Sequence, residues 1–218
     1  ISHPKFRKEL IEEAKKRHYI FPDQLPPTTQ DLMFLDRYRS SMQLNNGRTI
    51  EFRPLQPSDE FESRHFYYSL QEDSIYYRFF NKRKVFSRDM LQKQWADVDY
   101  RRNMTIIALL QVGARKQIVG IGSYAQYSDN EAEVAFIVKE SLHSMGIGTN
   151  LLHILEGIAR ENNYTQFNAT VLAENEKMIR VFKKRYPSAK LLRCGSGEIE
   201  ILMPFDGKVD IDPDAECR

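Results

Sequence analysis

The chain has 218 residues, with 32 Lys and Arg against 30 Asp and Glu (net charge +2), 41% hydrophobic and 28% charged. This balance fits an ordinary globular domain and gives no basis for a nucleic-acid partner. No apolar run approaches the roughly 18–20 residues of a membrane helix, and the mixed, charged segment Ile1 to Arg7 forms no signal peptide; the cytoplasm is the expected location and no membrane partner is expected. The missing initiator Met points to a processed or excised chain, and Cys194 and Cys217, in no metal or redox spacing, read as free thiols.

Residues 5–18 place Phe6, Leu10, Ile11 and Ala14 at helical spacing, with Pro4 just before the first turn. Pro22, Pro26 and Pro27 then interrupt regular structure, so 22–47 reads as a connector. Residues 49–53 alternate as a strand, and Ser58 or Asp59 can cap a helix running through 61–70 toward Phe80. A second helix is expected over 87–97. Residues 104–112 and 117–127 flank a hairpin turn at 113–116, and 131–138 is a further strand. A helix over 148–162 presents Leu151, Leu152, Ile154, Leu155, Ile158 and Ala159 on one face. A strand at 167–172, a helix at 175–186 stopped by Pro187, and a hairpin of 191–194 with 198–203 complete the order. The tail from Gly207 shows no periodicity. This succession predicts an α/β (α+β) domain with a mixed sheet of about seven strands and helices on both faces.

Residues 138–152 carry the chemistry. A strand ends at Val138, a short loop holds Gly146 and Gly148, and an amphipathic helix begins at once. Such a loop is an anion site, because unpaired N–H groups and the helix dipole both favour negative charge and glycine lets the anion approach the backbone. The P-loop lysine is missing between Gly148 and Thr149, and Leu151 stands where a dinucleotide fingerprint needs its third glycine.

His143-Ser144-Met145-Gly146-Ile147-Gly148 resembles motif A of the GNAT superfamily of N-acetyltransferases, Q/R-x-x-G-x-G/A, with His143 in the Gln/Arg position. Asn175-Glu176-Lys177-Met178 resembles that family's N-x-x-M helix start, and the resemblance spans about residues 48–206. It implies a mostly antiparallel sheet splayed at its central strands and acetyl-CoA as cosubstrate. The pantetheine arm would pair with backbone at Ile137 and Val138, in the manner of strand addition. The loop from His143 through Ser144, Met145, Gly146, Ile147, Gly148 and Thr149 would cradle the pyrophosphate, with Asn175 beside the arm or sulfur. The family's general acid is a tyrosine several residues into the N-x-x-M helix; Phe182 stands there, and nearby Tyr186 reads as packing at the helix end.

An amine acceptor is mostly protonated near neutrality and needs a base. By alternation, Glu131, Glu133, Ala135 and Ile137 share the face opposite Ala132, Val134, Phe136 and Val138. Glu133 is the candidate base, with Glu131 or no protein base as alternatives. The texture around Glu133 also resembles bacterial protein lysine acetyltransferases, which implies a protein lysine acceptor. A CoA-sensing domain without turnover and a small-molecule amine acetyltransferase are the other readings.

His65, His143 and His153 lack ligand pairing, so no metal is expected. Trp95, Tyr76, Tyr77, Phe79 and Phe80 read first as core, although the resemblance places the acceptor side at 66–82. Lys82, Arg83 and Lys84 read as a solvated loop. The N-terminal segment to Ile20 resembles the closing helix of acetyl-CoA hydrolase/CoA-transferase proteins, implying a fragment of a larger bifunctional protein. The expected division is 1–47 as helix and linker, 48–206 as acetyltransferase domain and 207–218 as flexible tail.

Overall fold

Apolar alternation from residue 49 onward builds one sheet. The computed structural model describes residues 4–17, 19, 35–81, 85–86 and 100–206. The strands are β1 (Ser40–Gln43), β2 (Thr49–Pro54), β3 (Asn103–Val112), β4 (Arg115–Gln126), β5 (Glu131–Val138), β6 (Gln166–Leu172), β7 (Lys190–Arg193) and β8 (Glu198–Pro204). The helices are α1 (Pro4–Lys16), α2 (Glu60–Tyr68), α3 (Glu72–Phe79), α4 (Ile147–Glu161) and α5 (Glu176–Arg185). The eight strands lie in the order β1-β2-β3-β4-β5-β6-β8-β7, and only β5 with β6 is parallel.

Three expectations are corrected. The sheet gains β1 from the segment assigned to the connector. Ser40, Ser41 and Gln43 are exposed and only Met42 is half-buried, so no apolar alternation marks the strand. Leu35, Tyr38 and Leu44 nevertheless join the core, and Arg37 Nη2 and the Tyr38 hydroxyl both reach Glu161 Oε2 at the end of α4. The helix expected from residue 59 toward Phe80 is two helices. Ser69 closes α2 with its hydroxyl on the Phe66 carbonyl, Leu70 turns into the core, and α3 starts anew at Glu72. The helix expected at 87–97, with Trp95, lies outside the described residues, as do Lys82 to Lys84 and the tail. Cys194, expected as a free thiol, is disulfide-bonded.

Two apolar clusters sandwich the sheet. On one face α4 and α5 cover Ile106, Val134, Phe136, Phe167 and Ile201. On the other, Phe66, Tyr67 and Ile75 of α2 and α3 meet Ile107, Ile121 and Ile137. Gly120 and Gly122 let α4 come close, since a Cβ at either would lie 3.2–3.4 Å from Leu151 or Leu155 carbons. Between α4 and α5 sits Glu156, 4% exposed, held by Arg160, Arg185 and the Tyr186 hydroxyl. No described helix is long and apolar enough to cross a membrane.

Candidate active site

The parallel pairing of β5 and β6 stops after three positions, Glu131 with Gln166, Ala132 with Phe167 and Glu133 with Asn168. Both strands continue, β5 to Val138 against β4 and β6 to Leu172 against β8, so they diverge. The closed end is pinned by Glu131, whose oxygens accept Gln166 Nε2 at 2.7 Å and Asn168 Nδ2 at 3.0 Å. On the α4 face, α5 reaches back to β5 by an edge-on contact of Phe182 with Phe136, centroids 5.6 Å apart.

Register decides which backbone groups face the opening. Tyr127 N–H donates to Glu131 O and Lys139 N–H to Val119 O, at the two ends of an unbroken β4–β5 register. In an antiparallel pair the hydrogen-bonded positions alternate, so residues 131, 133, 135, 137 and 139 point their amides at β4. Val134, Phe136 and Val138 point theirs into the gap. Ile137 is therefore corrected as a backbone contact: its amide faces β4 and its side chain is buried against α2 and α3. The Phe136 carbonyl and Val138 N–H form the available acceptor–donor pair. The Val138 carbonyl accepts His143 Nε2 at 2.8 Å, which ties the loop to the strand end.

The loop places a row of donors beside the gap. Gly146 caps α4 with φ +85°, a conformation that favours glycine, and offers no side-chain cap. The first helical bond runs from Asn150 N–H to Gly146 O. The N–H groups of Ser144, Met145, Gly146, Ile147, Gly148 and Thr149 have no acceptor among the described residues. Gly148 packs tightly against β5, since a Cβ there would lie 3.0 Å from Phe136 Cε2 and the ring would have to shift. Asn175 caps α5, its Oδ1 accepting Met178 N–H at 3.3 Å, and its own N–H donates to Leu172 O at the end of β6. This holds it at the open end of the gap.

Glu133 is exposed on the α2–α3 face, beside Ala125 of β4 and Asn168 of β6. Phe182 is buried and carries no acidic proton. Tyr186 does pack at the helix end; burial, and then the Glu156 carboxylate, push its phenol far above the ordinary range. Among the described residues no group of three metal-ligating side chains gathers.

Sequence reasoning missed two supports of the loop. Met42 of β1 lies against Gly146 and accepts Asn150 Nδ2 at 3.3 Å. Glu140, in the turn after β5, accepts the Gln71 N–H at 2.9 Å at the start of α3. Burial raises the Glu140 pKa, but hydrogen bonds from Ser74, the Gln71 N–H and its own N–H, together with His143, outweigh burial and hold it below the ordinary value. This contribution to stability is fully present above about pH 4.3 and is lost as pH falls through the lower folded-state pKa. Glu140→Gln is expected to lower Tm near neutrality and to converge on the wild type in acid; an equal Tm difference at every pH from 3 to 7 would contradict the ionised tie.

A family description, the acetyltransferase (GNAT) family, matches residues 58–186. The chain belongs to this family and is an acyltransferase. An acetyltransferase of Pseudomonas aeruginosa is 29% identical over 136 residues, 62% of this chain and 73% of that protein. The GNAT domain of S. lividans PAT shares the fold with a TM-score of 0.69 at 24% identity, over 78% of this chain and 98% of that one. The PaiA N-acetyltransferase of Thermoplasma acidophilum, determined in complex with coenzyme A, gives a TM-score of 0.58 at 15% identity, over 72% and 99% of the two chains.

Proposed function

We propose that the chain transfers the acetyl group of acetyl-CoA to an amine, a lysine of a protein, by direct attack in a ternary complex. The observation that carries this reading is the row of unpartnered N–H groups at 144–149 opening beside the β5–β6 gap. Those donors and the α4 dipole suit a diphosphate. The Phe136 carbonyl and Val138 N–H suit one amide of an extended arm laid along the strand edge. Asn175 closes the open end near the arm. His143 acts by holding the loop to Val138 and leaves the diphosphate to the backbone.

In the transfer, Glu133 takes the amine proton, directly or through a water. The freed lone pair attacks the thioester carbonyl carbon, the C–N bond forms, and the C–S bond breaks to release the CoA thiolate. Thiol pKa values near about 8.5 make that thiolate a competent leaving group without a tyrosine acid. In the same reading residues 48–206, braced by 35–47, form the catalytic domain, and a CoA-transferase domain is covalently linked. The lysine acceptor rests on the texture of β5 around Glu133.

Titration of the full chain with CoA, followed by mass spectrometry of candidate proteins incubated with acetyl-CoA, tests this. Saturable binding and acetylated lysines are expected; no binding would overturn the reading. Gly148→Val sets methyl groups against Phe136 and beside the donor row, and is expected to weaken CoA binding at least about tenfold. An unchanged Kd would remove 144–149 as the diphosphate site. A second reading, a CoA-sensing domain without turnover, is favoured by Phe182, which puts no phenol where the family's acid stands; it expects binding with no acetylated amine.

A further inference from the structure

The turn that leaves β5 has two jobs, and only one belongs to the carrier. Residues 140–142 form a single 3-10 turn. Leu142 is buried in the cluster beneath α4. Glu140 points the other way across the sheet and caps α3, bonded to the Gln71 N–H at 2.9 Å and to Ser74. Gln71 offers no side-chain cap of its own, so the start of α3 takes its carboxylate from a residue 69 positions later. A carboxylate at a helix N-terminus meets both unpaired donors and the positive end of the dipole. The same short segment continues through His143, bonded to the Val138 carbonyl, into the unpartnered N–H row. One stretch of about ten residues thus grips α3 at one end and offers the anion site at the other.

On the carrier-site reading given above, we infer that Glu140 is a positioning residue that couples carrier binding to the placement of α3. α3 carries the half-buried Tyr76 and Tyr77, whose rings lie 5.9 Å apart, and packs Ile75 into the cluster containing Ile137. A carrier bound to the N–H row fixes the loop, and the Glu140 tie passes that ordering to α3. Without the tie the loop still binds carrier, because none of its donors belongs to Glu140.

Hydrogen–deuterium exchange on the full chain, with and without saturating CoA, reads this directly. In the wild type CoA is expected to slow exchange in peptides covering 144–149 and, by about threefold or more, in those covering 72–79. In Glu140→Ala the loop protection is expected to remain and the α3 protection to vanish. Ser74→Ala, which keeps the Gln71 bond, is expected to lose part of it. If wild-type CoA protects the loop but not α3, the coupling is overturned while the carrier site stands. If CoA protects neither segment, the carrier site itself fails. If Glu140→Ala keeps full α3 protection with a lowered Tm, Glu140 is a stabilising tie only.

Discussion

Glu133→Gln is expected to bind CoA as the wild type does and to transfer acetyl about 10²- to 10⁴-fold more slowly. The substitution keeps the side chain's size and removes only its basicity. Glu133 lies at the last paired position of β5 and β6, where the strands begin to part, on the face shared with α2 and α3. It has no ion-pair or hydrogen-bond partner among the described residues, so a water or an amine can reach it. The residual rate should climb about tenfold per pH unit below the amine's pKa of about 10.4, because each unit supplies ten times more neutral nucleophile. Glu131→Gln is the comparison. That carboxylate is spent on Gln166 and Asn168, and its loss should loosen the closed end of the gap and lower Tm without steepening the pH profile. A Glu133→Gln enzyme within twofold of wild-type kcat would leave the reaction without a protein base.

The loop at 144–149 was legible because its signal is local. Two glycines between a strand and an amphipathic helix need no distant partner to be recognised, and Gly146 takes the positive φ that favours glycine. The alternation of β5 likewise placed Glu133 and Ile137 on one face, and both lie there. What alternation does not give is hydrogen-bond phase. Which of two neighbouring residues turns its amide to the gap depends on the register with β4, and that put Val138 and Phe136 on the gap side and Ile137 on the other. β1 was invisible for a different reason. Apart from Met42 its residues are polar, and it lies at the sheet edge, held by Met42 against Gly146 and by flanking Leu35, Tyr38 and Leu44. The cap on α3 by Glu140 joins residues 69 apart, and no pattern within either segment announces it.

The double variant Arg160→Met/Arg185→Met is expected to lose more stability than Glu156→Met, although all three act on one network. Glu156 is buried, while Arg160 and Arg185 have side chains 46% and 36% exposed. Removing the carboxylate leaves two cations that can turn to water. Removing the cations leaves a buried charge with, among the described residues, only the Tyr186 hydroxyl, at 2.9 Å, to meet it. The second loss is expected to cost about 3–5 kcal/mol, or roughly 6–20 °C in Tm, and the first about 1–2 kcal/mol. The reverse order would show that the arginines act through their packing instead. Tyr186→Phe separates this structural network from the chemistry. It removes a hydrogen bond to a charged group, so about 1.5–3 kcal/mol of stability is expected to go. Its hydroxyl is spent on Glu156 and its phenol is pushed far above the ordinary range, so kcat is expected to hold. A fall in kcat at unchanged Tm would make Tyr186 the missing acid and move the leaving-group chemistry onto α5.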